Sequence, residues 1–154
     1  MFRTTKVFNM GIRRKGREIA VQILYSLDFY EKEYSEILDD IAFGKETKKN
    51  KKIFEFVDSI LKSSIDNLSE IDKKISQHST NFPLNKIAEL DRCILRVATN
   101  EMLYTETPHP IIMDEAIEIS KKYCAESSGK FINGILDAIS NELKKKTRNE
   151  IDCH

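Results

Sequence analysis

The stretch 110–143, PIIMDEAIEISKKYCAESSGKFINGILDAISNEL, decides the fold. Apolar residues recur in it at steps of three and four, first over 112–123 and again over 132–143, which predicts two amphipathic helices. A short polar break separates them, where Ser127 or Ser128 is placed to cap the second helix. Two apolar stripes joined by so short a break should pack on each other and on a third element. This hairpin is therefore expected to form the inner half of the fold.

Some residues of this hairpin are not explained by its apolar stripes. Gly134 lies inside a helical pattern, where glycine costs about 1 kcal/mol relative to alanine. Phe131 falls roughly 100° from the centre of its stripe, and Ser127 lies farther out on the same side. From packing alone, the favoured interpretation makes Phe131 a flanking core residue and Gly134 the point of a close helix contact. The alternative is a binding surface.

The composition is that of a soluble helical protein. The chain has 154 residues, of which 40% are hydrophobic and 32% charged, with five Gly, three Pro and no Trp. This length suits one domain or two small packed subdomains. The formal net charge is zero, yet the first seventeen residues hold six Arg or Lys and no acid. Such a segment can attract an anionic polymer even on a neutral protein.

Several classes of protein are disfavoured by what the sequence lacks. Its three cysteines are widely spaced without a CxxC pair, and its three histidines lack metal-ligand spacing, so neither disulfides nor a metal site are expected. The sequence contains no Gly-rich phosphate loop, GxSxG or HExxH motif. No apolar run approaches the roughly 20 residues of a membrane span, and no secretory signal is present. We expect a cytoplasmic protein without catalytic residues or cofactor.

The periodicity along the chain predicts an all-α fold of about seven helices in two small packed bundles. In order, the expected helices cover 12–30, 34–43, 49–67, 69–77, 84–104 and the two segments of the hairpin. The break HSTNFP at 78–83 suggests subdomains over about 12–78 and 84–143, because Pro83 disfavours helical geometry at the residue before it. The remaining segments, 1–11 and 144–154, are expected to be a mobile arm and a frayed polar tail.

Two of these helices carry charges on a polar face. On the first, a helical wheel directs Arg14, Glu18, Val21 and Tyr25 roughly opposite the apolar stripe. An outward Tyr three turns from an outward Arg is a usable surface for stacking on bases and pairing with phosphates. Solvated arginines and a stray tyrosine are an equally simple explanation. On the helix 84–104, Glu89, Arg92 and Arg96 share one side and are expected to form ion pairs within the helix.

Three segments together resemble the bacterial NusB family of transcription antitermination proteins. They are RRKGREIAVQILYSLD (13–28), LDRCILRVATNEMLY (90–104) and the hairpin over 110–139. The resemblance implies two helical bundles packed nearly at right angles and no catalytic activity. It implies binding of a boxA-type element in ribosomal RNA leader transcripts together with NusE, a small-subunit ribosomal protein. The complex helps RNA polymerase to read through terminators during ribosomal RNA synthesis.

The resemblance also assigns roles to residues of this chain. It implies phosphate contacts at Arg13, Arg14, Lys15 and Arg17, and RNA-facing positions at Tyr25, Tyr123, Ser127, Lys130 and Phe131. Asn85 and Asp91 match positions that face the NusE partner. Ser127 and Asn85 replace acidic residues found in some members, and Tyr123 is in phase with the buried stripe of its helix.

Two other functions stay open on the sequence. The chain resembles the RNA-targeting domain of some ribosomal RNA cytosine methyltransferases, which here would act in trans. It is also compatible with a protein-binding helical adaptor whose basic segment is incidental. A homodimer that masks the RNA surface is possible, and no residue decides it.

Overall fold

The computed structural model describes residues 2–29, 36 and 48–152. Within these residues the chain forms six α-helices, one 3₁₀ turn and no strand, so the predicted all-α fold is confirmed. The elements are α1 (Phe2–Phe29), α2 (Lys48–Asp66), α3 (Leu68–His78), the 3₁₀ turn Leu84–Lys86, α4 (Glu89–Tyr104), α5 (His109–Tyr123) and α6 (Ser128–Asp152). The predicted helix 34–43 lies outside the described residues except for residue 36, which is helical.

The chain divides into two compact units between Asp66 and Asn67. In the first unit α1 packs against α2, and most of the predicted apolar stripe of each helix is buried, although Ile65 of α2 is exposed. Their buried members include Ile19, Ala20, Ile23, Leu24, Ile53, Val57, Ile60 and Leu61. A Cβ atom at Gly16 would collide with the ring of Phe56, so glycine allows this ring to pack directly on the backbone of α1.

Helix α1 starts at Phe2, whereas the sequence predicted an unpatterned arm before residue 12. No proline interrupts this segment. Once a helix is nucleated, each added residue gains a hydrogen bond for the loss of only its own conformational freedom. The packed part of α1 can therefore extend towards the N-terminus without a hydrophobic pattern of its own.

The second unit is built around α4, which packs against α3, α5 and α6. In the part of this unit that the structure describes, α6 also contacts α3 and α5. Buried residues from all four helices form its core, among them Ile71, Ile75, Ile94, Val97, Ile112, Ile119, Ile132, Leu136 and Ile139.

Helix α3 belongs to this second unit, although the sequence grouped it with the first helices in a subdomain ending near residue 78. Its polar contacts explain the difference. Arg96 of α4 donates two hydrogen bonds to the Asp72 carboxylate, at 2.8 and 3.0 Å. Lys74 lies 2.8 Å from Glu142 of α6. These pairs join residues far apart in the sequence, which helical periodicity does not reveal.

Two predicted helix ends are also corrected. The helix expected over 84–104 is interrupted at Ile87 and Ala88, whose ψ angles are 134° and 135°, and α4 begins only at Glu89. At the other end of the unit, α6 continues to Asp152 where a frayed tail was expected. Lys, Arg and Glu are good helix formers, which favours this extension.

The predicted hairpin is confirmed as α5 and α6. The chain leaves α5 through an extended Cys124 (φ −113°, ψ 173°) and re-enters a helix at Ser128. At the far end of the hairpin, His109 Nδ1 lies 2.7 Å from Ser140 Oγ. Gly134 meets open space, since a Cβ atom there would have no neighbour within 4 Å. The expected close helix contact at Gly134 is therefore wrong. No described helix is both long enough and apolar enough to cross a membrane.

Candidate nucleic-acid interface

The four basic residues at 13–17 of α1 separate into an exposed group and a buried residue. Arg13, Arg14 and Lys15 are exposed. Arg17 is only 4% exposed, and its guanidinium carbon lies 5.7 Å from the centre of the Phe56 ring. A guanidinium over an aromatic face is held by a cation–π interaction. The expected phosphate contact of Arg17 is therefore corrected to a buried packing role, and Arg13–Lys15 remain the accessible cations.

The polar face predicted along α1 is interrupted as well. Glu18 and Val21 are 8% and 1% exposed, although the helical wheel directed both outwards. Tyr25 is 38% exposed, as the wheel predicted. A buried segment thus separates Tyr25 from the exposed cations on the same helix. The wheel failed because it describes one helix alone and counts none of the neighbours that cover it.

The second group of predicted residues gathers around the start of α6. Ser127 and Lys130 are exposed, and Tyr123 at the end of α5 is 37% exposed despite being in phase with the buried stripe. The Lys122 ammonium lies 5.3 Å from the centre of the Tyr123 ring. Phe131 is half-buried, neither in the core nor fully in solvent. This end of the hairpin presents two aromatic rings and a cation at the protein surface.

Asp91 does not occupy the exposed, partner-facing position that was expected. It is 8% exposed, and its carboxylate accepts a 2.9 Å hydrogen bond from Ser128 Oγ at the first residue of α6. Burial, followed by a hydrogen bond to Asp91, raises the pKa of the Cys124 thiol to about 12. The Asp91 carboxylate therefore ties α4 to both ends of the α5–α6 connection. The Ser128 hydroxyl is used in its hydrogen bond to Asp91. The other residue predicted to face the partner, Asn85 in the 3₁₀ turn, is exposed.

A cleft of about 610 Å³ lies beside this connection, between α5 and α6. Lys121, Cys124, Lys130 and Asn133 contribute polar atoms to its lining. On a helical wheel Asn133 lies roughly 160° from Phe131, so the cleft and the phenylalanine occupy different sides of α6. Among the described residues, no group of three His, Cys, Asp or Glu side chains is placed to hold a metal ion.

Comparison with known protein families shows to which family this chain belongs. Residues 14–141 match the NusB family. The chain belongs to the NusB family. This range holds all the predicted site residues except Arg13, and the match confirms the resemblance identified from the three motifs.

Two relatives illustrate the similarity, and each is named transcription antitermination protein NusB. The protein from Chloroherpeton thalassium is 39% identical over 138 residues, covering 87% of this chain and 64% of its own length. The protein from Clostridium novyi is 36% identical over 125 residues, covering 80% of this chain and 94% of its own length. The chain thus spans just under two thirds of the first relative and nearly all of the second. Both names describe transcription antitermination, which is the function that the sequence resemblance implied.

Solved NusB structures share the fold. T. maritima NusB has a TM-score of 0.77 and 37% sequence identity, covering 84% of this chain and 91% of that one. A NusB chain crystallised with NusE and double-stranded RNA has a TM-score of 0.72 at 23% identity, covering 86% of this chain and 98% of that one. At that level of identity the second structure shows a common fold alone.

Proposed function

We propose that this protein binds a boxA-type element in ribosomal RNA leader transcripts together with NusE, as a component of an RNA polymerase antitermination complex in the cytoplasm. The observation that carries the proposal is the exposed run Arg13–Lys15 on a chain of the NusB family. The NusB that was crystallised with NusE and RNA supports the choice of partners through its fold. The antitermination names of the relatives favour this function over that of a methyltransferase targeting domain.

The proposed RNA contacts on α1 and those on the α5–α6 hairpin bind different parts of the RNA. Arg13, Arg14 and Lys15 contact phosphates, which releases counterions from the RNA and makes the affinity fall as salt rises. Tyr25 on α1, and Tyr123 and Phe131 on the hairpin, offer ring surface to unpaired bases. Stacking of a base on an aromatic side chain is worth about 1–3 kcal/mol and tolerates several bases.

The NusE contact is proposed at the exposed 3₁₀ turn that contains Asn85. Asp91 contributes indirectly, because its bond to Ser128 positions the start of α6. Since the net charge of the chain is zero, we expect weak RNA binding alone and tighter binding with NusE. A homodimer that covers Arg13–Lys15 would compete with RNA, so added RNA should shift such a dimer to monomer.

The test is a fluorescence anisotropy titration of labelled leader RNA with the full-length chain, with and without NusE. A shuffled RNA of equal length and composition is the matched control. We expect preference for the leader RNA, increased by NusE. Equal affinity for both RNAs in both conditions would contradict the proposal.

A further inference from the structure

Phe82 is an exposed aromatic residue that the sequence analysis treated only as part of a chain break. Its side chain is 51% exposed, more than that of any other aromatic residue whose burial the structure describes. It lies in the turn between α3 and the 3₁₀ turn, directly before Pro83. An aromatic ring left half in water loses much of the free energy that burial would supply. Its position therefore requires an explanation other than the core.

The backbone holds Phe82 in a fixed place. Ser79 Oγ donates a 2.6 Å hydrogen bond to the Phe82 carbonyl, and the Phe82 N–H donates a 3.2 Å bond to the Ser79 carbonyl. Ser79 itself is 7% exposed and bonds back to Ser76 of α3 through its N–H. The next residue, Pro83, has a restricted φ of −55°. A ring on such a turn is ordered before any ligand arrives, which reduces the entropy lost on binding.

Phe82 contacts Phe131, the residue proposed to face RNA. The two ring centres are 5.6 Å apart and the ring planes meet at 83°. This edge-to-face arrangement is favourable for aromatic pairs. In this arrangement the edge of one ring lies against a single face of the other ring, so the other ring faces remain for a third aromatic group. Both rings belong to the same compact unit, and Lys130, next to Phe131, is exposed.

We propose that Phe82 is a further RNA-contacting residue, which forms with Phe131 a two-ring platform where one unpaired base of single-stranded RNA stacks on the Phe82 ring. The proposal rests on the proposed function and adds a residue to the same site. A base fits the pair because it is a flat aromatic group that can stack on an exposed ring face. A protein partner is a poorer fit, since a stable protein interface buries roughly 800 Å² on each side, far more than two partly exposed rings provide.

Substitutions at Phe82 separate stacking from packing. Phe82→Ala should weaken leader RNA binding about 5- to 150-fold. Phe82→Leu keeps an apolar contact with Phe131 but offers no ring, so it should bind about as weakly as the alanine variant. Phe82→Tyr should bind like the unmodified chain. The control Tyr104→Ala removes a ring that is 44% exposed at the other end of α4, about 24 Å along the helix, and should leave the affinity unchanged.

A second measurement uses the absence of tryptophan from the chain. Phe82→Trp introduces a single tryptophan at the platform, whose emission, excited selectively at the red edge of its absorption where tyrosine does not absorb, a stacked base should quench when the RNA is added. Tyr104→Trp is the matched reporter and should not be quenched. Circular dichroism of each variant should show the helix content of the unmodified chain.

The outcomes distinguish this inference from the function on which it rests. If the unmodified chain binds the leader RNA and Phe131→Ala weakens it, but Phe82→Leu binds normally and Phe82→Trp is not quenched, the platform is overturned and the function stands. Loss of NusE binding in Phe82→Ala with normal RNA binding would overturn it in favour of a protein contact. If the unmodified chain does not bind the RNA, the proposed function and the platform fail together.

Discussion

The exposed cations of α1 and the aromatic end of the α5–α6 hairpin belong to different compact units and offer different chemistry. Arg13–Lys15 form a short run of charge, bounded towards the C-terminus by the buried Arg17 and Glu18. The hairpin end combines aromatic rings with exposed lysines, among them Lys122 and Lys130. The first region suits phosphates and the second suits bases. The salt-dependent and base-dependent parts of RNA affinity should therefore be separable by mutation.

The largest effect should come from removing the exposed charge of α1. We expect Arg13→Ala, Arg14→Ala and Lys15→Ala together to weaken leader RNA binding on the order of 100-fold, because three phosphate contacts are lost. The measurement is the dissociation constant at fixed salt. Its control is Lys144→Ala, Lys145→Ala and Lys146→Ala, which removes the same charge from exposed positions on α6. An equal loss in both triple variants would mean that only total charge matters.

The hairpin end should depend on Asp91 for its stability. Asp91→Ala leaves the buried Ser128 hydroxyl without its acceptor, which should lower the free energy of unfolding by about 1–3 kcal/mol. Asp91→Asn keeps an acceptor and should cost less. Urea denaturation measures both, with Asp114→Ala as an exposed acidic control. A loss below about 0.5 kcal/mol for Asp91→Ala would argue against this structural role.

Substitution by alanine should change the stability of the protein in opposite directions at Gly16 and Gly134. Gly16→Ala forces a methyl group into the Phe56 ring and should destabilise the first unit by about 1–3 kcal/mol. Gly134→Ala enters open space in α6 and should stabilise the second unit by up to about 1 kcal/mol. Thermal unfolding of the two variants provides the comparison. Destabilisation by both would show that Gly134 has a neighbour in the folded chain.

The smallest effect should be the pH dependence of Glu142. Hydrogen bonds from Lys74 and His78 lower its pKa from the ordinary 4.5 to about 2. A carboxyl whose pKa is lowered by folding stabilises the protein above its unfolded pKa and loses that contribution as the pH falls. The side chain is 29% exposed, so we expect no more than about 1 kcal/mol from it. The stability difference between the unmodified chain and Glu142→Gln should narrow from pH 4.5 towards pH 2, and a constant difference would contradict it.

Periodicity predicted most of the fold because it reports which face of a helix is buried. It placed the stripes of α1, α2 and the hairpin and the break before Ser128. It could not predict the burial of Arg17 and Glu18, since that depends on side chains from elsewhere in the chain. Nor could it predict that α3 belongs to the second unit, where Asp72 pairs with Arg96 on a separate helix.

The same limit applies to the candidate site. Motif resemblance identified Phe131, and the helical wheel identified Tyr25. Phe82 was missed because it lies in a non-helical turn, where no periodicity marks its direction. The signal available was a large apolar residue in the polar break HSTNFP. The family resemblance assigned Asp91 to the surface that faces NusE, and helical periodicity did not reveal its bond to Ser128.

The most direct test compares the salt dependence of leader RNA binding for two variants with that of the unmodified chain. The triple variant of Arg13–Lys15 should reduce the slope of log affinity against log salt by about 2, since each phosphate contact on a single strand contributes about 0.7. Phe131→Ala should weaken binding at every salt concentration without changing the slope. A reduced slope in Phe131→Ala, or an unchanged slope in the triple variant, would contradict the account in which α1 contacts phosphates and the hairpin stacks on bases.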